Sequence, residues 1–173
     1  MHLLFIEGSK MAADTFLKQL RIQSELRWTV QHLTDGFEAI EYLSGFLHFA
    51  NRKCYPLPQI MLLGLNAMTG SGHDFLAWLR AEKQFRELPV IVASSTQSEA
   101  EEARAMRLAP HAWFGRVGGI LGCHRLVDLC EDLVLNGLLM APGPNRVRRD
   151  WLGPSRGSGG WRPKAVAAAV VGV

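Results

Sequence analysis

Three polar side chains are predicted to meet at one edge of a sheet. Glu7, Ser94 and Arg116 each follow a short apolar run of the kind that forms a buried strand. The carboxyl ends of parallel strands share one edge, and open α/β sheets bind their ligands there. A carboxylate, a hydroxyl and a guanidinium could together bind an anion or another small ligand. Alternatively, Arg116 pairs with Glu7 and leaves an inert site, which we favour because a guanidinium can bind both oxygens of a carboxylate.

The central strand of that sheet is predicted at Ile60–Leu63, within the stretch Pro58–Gly72. Its four residues are apolar without alternation, as expected for a strand covered by helices on both faces. Gly64 begins the Gly-rich loop that follows, and the first acid after the strand is Asp74. The place where this class of fold usually carries its chemistry therefore has no carboxylate on the central strand.

The order of the apolar patterns predicts five strands alternating with five helices. Such alternation indicates an α/β fold, a doubly wound parallel sheet with right-handed crossovers and helices on both faces. The fourth helix is predicted to begin after Ser98, which has Glu101 as its capping-box partner. The core stripe of the second helix is predicted from the helical spacing of Phe37, Ile40, Leu43 and Leu47.

The net charge of +3 on the 173 residues comes from the end of the chain. Residues 141–173 hold six of the 19 Lys and Arg residues and one of the 16 Asp and Glu residues, so residues 1–140 carry a net charge of −2. We predict a globular domain at 1–140 and a basic, Gly- and Pro-rich, disordered tail at 141–173. The acidic body argues against nucleic acid as a partner.

Cysteine content and hydropathy indicate a cytoplasmic protein. Three cysteines do not suggest a disulfide framework, and no apolar run reaches the roughly 20 residues that cross a membrane. Two of the three cysteines belong to a group of potential metal ligands, Cys123, His124, Asp128 and Cys130. We interpret Cys123 and Cys130 as core residues of the last helix, because free cysteine packs as a small apolar side chain.

Five strings, in order, resemble the receiver domains of two-component response regulators over residues 2–138. The first strand with its acidic pair corresponds to LLFIEGS, and the second strand–helix junction to TDGFEAIEYL. The third strand, its loop and its helix correspond to LPQIMLLGLNAMTGSGHDFLAWLR. The fourth and fifth strands correspond to LPVIVASS and WFGRV. The resemblance implies a flavodoxin-like fold in a single receiver domain.

The resemblance also implies that the phosphorylation chemistry of the family is degenerate here. In that family an aspartate at the end of the third strand accepts a phosphoryl group, and an acidic pair after the first strand binds Mg²⁺. Gly64 stands at the acceptor position, and Glu7 and Gly8 stand at the acidic pair. An acyl phosphate is therefore not expected, and Mg²⁺ binding should be weak or absent, with no other cofactor implied.

The switch positions of the family are partly kept. Ser94 retains the hydroxyl after the fourth strand, while Arg116 replaces the lysine after the fifth strand and Val117 replaces the following proline. Trp113 stands where the family often has an aromatic residue whose rotamer reports activation. We expect Trp113 to be fixed by packing and not switched by phosphate.

These residues lead to one favoured function and two alternatives. We expect a non-enzymatic module of phosphorelay signal transduction that binds a protein partner, such as a histidine kinase or another response regulator, without being phosphorylated. The first alternative is a small-molecule or anion binder that uses Glu7, Ser94 and Arg116. The second is a decayed paralogue without function. The sequence leaves open the pathway and the oligomeric state.

Overall fold

A five-stranded parallel sheet forms the centre of the protein. The computed structural model describes residues 1–65, 72–94, 107–108, 112–115 and 119–137, with the backbone alone at 112–115, 119 and 136–137. The strands are β1 (His2–Ile6), β2 (Thr29–Leu33), β3 (Ile60–Gly64), β4 (Val90–Ser94) and β5 (Ala112–Gly115). Their order in the sheet is β2-β1-β3-β4-β5, and all neighbours run parallel. The predicted doubly wound α/β fold is confirmed.

Helices connect the strands and cover both faces of the sheet. They are α1 (Lys10–Gln23), α2 (Gly36–Ser44), α3 (Gly72–Ala81) and α4 (Gly119–Asp132), with a short 3₁₀ helix at Leu47–Ala50 and a π-helical turn at Leu133–Gly137. The helix predicted after Ser98 and the tail predicted at 141–173 lie outside the described residues. Within the described part of the chain, no helix has the length and apolarity needed to cross a membrane.

The core consists of one apolar layer on each side of the sheet. All five residues of β3 are buried, which confirms the prediction of a central strand covered on both faces. Side chains of β1 alternate between the layers: Leu4 and Ile6 pack towards α2 and α3, and Leu3 and Phe5 pack towards α1 and α4. The alternation follows from the two-residue period of a strand.

Cys123 and Cys130 lie in the layer formed with α1 and α4, where both are buried as free thiols. Burial raises the pKa of both thiols, because the charged thiolate is poorly solvated there. Their predicted role as core residues is confirmed. Among the residues that the structure describes, no three His, Cys, Asp or Glu side chains are grouped as a metal site would need.

The prediction for the second helix was wrong at both ends of its apolar stripe. Phe37 is 75% exposed and Leu47 is 63% exposed, whereas Tyr42 and Leu43 are buried. The helix ends at Ser44 because Gly45 adopts the left-handed conformation with φ of 68°, which redirects the chain before Leu47. A spacing of four residues places two side chains on one face only while the helix continues.

A polar seam joins α1 to α4 within the otherwise apolar layer. His124 Nε2 lies 2.6 Å from Gln19 Oε1. The amide of Gln23 donates to the main-chain oxygen of His124 at 3.2 Å and to the carboxylate of Asp128. One residue beyond α1, Ser24 donates to Glu131 and accepts from the Trp28 indole at 2.7 Å. The seam fixes how the first and last helices lie against each other.

Candidate functional site

Glu7 and Gly64 lie side by side at the carboxyl edge of the sheet. Ile6 of β1 is opposite Leu63 of β3, so the next residue of each strand occupies adjacent positions. Gly64 is also opposite Ala93 of β4, which brings Ser94 to the same edge. The structure therefore places three sequence-predicted positions, Glu7, Gly64 and Ser94, together as expected.

The carboxyl group of Glu7 lies directly over Gly64. A Cβ atom built on Gly64 would overlap Oε2 of Glu7 and would lie 3.3 Å from its Cδ. The same Cβ would lie 3.3 Å from the main-chain oxygen of Ile6, closer than an ordinary van der Waals contact. Glu7 thus occupies the space into which any side chain at position 64 would have to project.

Main-chain hydrogen bonds hold Glu7 in this position. Its Oε1 accepts from the N–H of Ser9 at 2.8 Å, and its own N–H donates to the carbonyl of Leu33 at 3.0 Å. Ser9 is the N-cap of α1, so the carboxyl group lies at the helix end that favours negative charge. His32 Nε2 lies 2.9 Å from the main-chain oxygen of Glu7, which adds a contact from β2.

Burial raises the pKa of the Glu7 carboxyl above its ordinary value, because water is partly excluded from it. The hydrogen bond from Ser9 and the nearby His32 act in the opposite direction and are smaller effects. A partly desolvated carboxyl group with one oxygen already bound by an amide is a poor ligand for Mg²⁺, which needs near-ideal octahedral geometry from oxygen ligands. Glu7, Gly8 and Gly64 together therefore do not fit a magnesium site of the receiver kind.

The predicted site positions differ in their exposure to solvent, and some of them lie outside the described residues. Ser94 is 2% exposed, whereas Gly8 is exposed to solvent. The main chain of Trp113 lies in β5 opposite Val92, but its side chain and all of Arg116 are outside the described residues. The ion pair between Arg116 and Glu7 stays a prediction.

Sequence reasoning missed the contact between Glu7 and Gly64. The residue types at the two positions indicate this contact. The Glu7 side chain has one more methylene than an aspartate, and Gly64 beside it has no side chain. Reading the two positions separately suggests that one carboxylate is kept and another is lost. Reading them as neighbours indicates that the remaining carboxyl group fills the space of the absent one.

Comparison with known proteins identifies the fold. No family model matches the sequence. Response regulator Rcp1 of Synechocystis is 24% identical over 137 residues, which are 77% of this chain and 88% of that protein. The crystal structure of the phosphorylated cyanobacterial phytochrome response regulator RcpA superposes with a TM-score of 0.70 at 22% identity, covering 79% of this chain and 94% of that one. The chain has the receiver fold. This receiver-like chain is thus similar in sequence to one response regulator and in fold to another.

A second relative is similar over a shorter part of the chain. The probable methanogenesis regulatory protein FilR2 of Methanothrix harundinacea is 26% identical over 115 residues, which are 66% of this chain and 71% of that protein. At the carboxyl edge of this sheet Glu7 covers Gly64, the position that the resemblance to receiver domains assigns to the acceptor aspartate.

Proposed function

We propose that this receiver-like chain signals through contact with a protein partner and is not phosphorylated at the carboxyl edge of its sheet. The observation that carries the proposal is the position of the Glu7 carboxyl group over Gly64. The acceptor position has no nucleophilic side chain, and the space above it is already occupied. The site therefore stays in one state whether or not a phosphoryl donor is present.

Electrostatics support the same proposal. An incoming phosphoryl group carries negative charge, and the Glu7 carboxyl stands where that group would approach. Without a metal ion between them, like charges at this distance repel each other. The same argument weighs against the alternative of an anion-binding pocket built from Glu7, Ser94 and Arg116. The partner we propose is a histidine kinase or another response regulator, and the role does not require enzymatic activity.

A phosphorylation assay tests the proposal. Acetyl phosphate with Mg²⁺ should leave no phosphate on the purified chain, and beryllofluoride with Mg²⁺ should leave its melting temperature unchanged. RcpA, whose crystal structure contains the phosphorylated protein, serves as the positive control under the same conditions. A ligand at 100 times its Kd would stabilise the fold by about 2.7 kcal/mol. A clear beryllofluoride-dependent rise in melting temperature would therefore contradict the proposal.

Restoring the acidic residues gives a second test. The double variant Gly64→Asp, Gly8→Asp supplies an acceptor and a second metal ligand, but Glu7 must first leave the space above position 64. Arg116 would also compete with Mg²⁺ for the carboxylates, because its planar fork binds two oxygens at once. We expect the double variant to fold and to incorporate little phosphate, and Arg116→Lys to increase the incorporation. Equal labelling of the double and triple variants would show that Arg116 is no obstacle.

A further inference from the structure

Strand β2 is a free edge of the sheet without the usual protection of such edges. It is the terminal strand in the order β2-β1-β3-β4-β5 and pairs only with β1 among the described strands. Its sequence, TVQHL, contains no lysine, proline or acidic residue. Natural proteins usually place charges, prolines or bulges on exposed edges to prevent pairing with another chain.

The hydrogen bonds between β1 and β2 define which groups of the edge are available. Thr29 donates its N–H to Met1 at 2.8 Å, and Leu33 accepts from Glu7 at 3.0 Å. Because successive residues of a strand direct their N–H and C=O groups to opposite sides, those of Val30 and His32 point away from β1. The free edge therefore presents two residues with outward donors and acceptors.

An open cleft with a mixed polar and apolar lining lies beside this edge. Its volume is about 270 Å³, and it lies between the end of α1 and one face of β2. Trp28, Val30 and His32 line it from the strand side, and all three are partly exposed. A partner that paired with β2 would extend the sheet beneath this cleft and cover more of its lining, which includes the apolar side chains of Trp28 and Val30.

We propose that β2 pairs with β2 of a second copy in an antiparallel, two-fold symmetric dimer. The register is set by two conditions. Residues with outward N–H and C=O groups must pair with each other, a condition that the register with Val30 opposite His32 of the copy meets. Charge selects this register, because it also brings the exposed Arg27 opposite Asp35 of the copy and repeats the ion pair on both sides of the axis. An interface in which one segment meets itself has the symmetry of most soluble dimers.

The register makes a geometric prediction for Gln31. This residue falls on the two-fold axis as a pair without mutual main-chain hydrogen bonds, for which the Cα atoms are about 4.5 Å apart. That separation is within the range of a disulfide. Thr29, on the same face of the strand, would be about 13 Å from its copy, since four residues of about 3.3 Å separate them along the strand.

Disulfide trapping tests the register. In a Cys54→Ser background, which removes the exposed native thiol and leaves the buried Cys123 and Cys130, Gln31→Cys should form an interchain disulfide on mild oxidation. Thr29→Cys is the matched control and should stay monomeric on a non-reducing gel. Absence of the disulfide at position 31, or equal trapping at both positions, would overturn the proposal.

Analytical ultracentrifugation of the full chain tests the dimer itself. The wild-type chain should show concentration-dependent dimerisation, and Val30→Pro should raise the dimer Kd about tenfold or more, because proline removes an outward N–H from each protomer. Arg27→Glu should also weaken the dimer. Adding Asp35→Asn should partly restore it and keep the N-cap of α2, where the Asp35 side chain accepts from the N–H of Glu38 at 2.9 Å. This rescue separates the interface from a folding defect. A monomer at every concentration would overturn the proposal, as would strong hydrogen-exchange protection of Val30 and His32 in a monomer.

Discussion

Two glycines of this protein are each covered by a charged side chain, but for different reasons. Gly45 ends α2 with φ of 68°, and a Cβ there would lie 2.7 Å from Nη2 of Arg52. Gly64 lies within a regular strand, and the obstacle to a side chain is the carboxyl group of Glu7. The first position requires glycine for its backbone conformation, whereas the main obstacle at the second is Glu7, with a smaller one from the main-chain oxygen of Ile6. A glycine can therefore mark either a turn with a left-handed backbone or a position whose side-chain space a neighbouring residue occupies.

The charged partners differ in the same way. Arg52 donates to the carbonyls of Tyr42 and Leu43 at 2.7 Å each and to that of Tyr55 at 3.3 Å. The first two bonds are to carbonyls in the last turn of α2, where main-chain oxygens lack a partner inside the helix. Among the described residues, the side chain of Glu7 accepts one hydrogen bond, from Ser9. Within that part of the chain, the arginine side chain therefore has more hydrogen bonds than the glutamate.

The largest effect is expected for Gly45→Ala. An alanine in the left-handed conformation costs about 1–2 kcal/mol, and its Cβ would displace Arg52 from the carbonyls that it caps. We expect a loss of about 2–4 kcal/mol of unfolding free energy when the lost hydrogen bonds are included. Chemical denaturation measures it. In an Arg52→Ala background the same substitution should cost only the backbone part, and an unchanged penalty there would contradict this account.

A smaller effect, which depends on Glu7, is expected for Gly64→Ala. In the wild-type chain the new Cβ displaces the Glu7 carboxyl and breaks its bond to Ser9, a loss of about 0.5–1.5 kcal/mol. In a Glu7→Ala background the substitution should be close to neutral, because the reduced entropy of the unfolded chain offsets the tight approach of the Cβ to the main-chain oxygen of Ile6. A double-mutant cycle by denaturation measures the coupling. Equal effects in both backgrounds would show that Glu7 does not occupy the space.

The pH dependence of Glu7→Gln sharpens the comparison further. The folded-state pKa of Glu7 lies above its ordinary value of 4.5, so the native state binds more protons than the unfolded state between the two values. Wild-type stability therefore decreases as the pH rises through that window. The glutamine variant lacks this decrease and should gain stability relative to the wild type from pH 4.5 upward. Thermal unfolding at a series of pH values measures the difference. If the wild type instead gained stability relative to the glutamine variant as the pH rises, the pKa of Glu7 would not be raised by folding.

The smallest effect is expected when the chain is truncated after Met140. Both glycine positions and the described core lie before this point. The basic, Gly- and Pro-rich segment from 141 is predicted to bury little apolar surface. Thermal unfolding of the truncated and full-length chains should agree closely. A loss of several kcal/mol would show that Trp151 or Trp161 packs on the domain.

Strands β1, β3 and β4 could be predicted from the sequence because each is a short apolar run with a clear boundary. The central position of Ile60–Gly64 in the sheet followed from the absence of alternation between apolar and polar residues, which is a local property of the sequence. The end of α2 could not be predicted with the same rule, because Gly45 stops the helix although apolar residues continue at helical spacing. The end of the helix at Gly45 therefore separates Leu47 from the predicted apolar stripe.

The candidate site could be predicted as a set of positions but not as an arrangement. Topology alone brings Glu7, Gly64 and Ser94 to one edge, and the structure confirms this. The direction of the Glu7 side chain depends on the N–H of Ser9 and on the free space at Gly64, which are properties of the folded neighbourhood. A motif comparison assigns each position separately and does not contain that information.

The polar seam between α1 and α4 has a consequence for how the chain folds as it is synthesised. Gln19 and Gln23 meet partners that are more than 100 residues further along the sequence. Domains fold as they emerge during synthesis, at about 5–20 residues per second, so α1 waits several seconds before α4 exists to cover it. During that interval the inner apolar face of the first helix is open to other contacts.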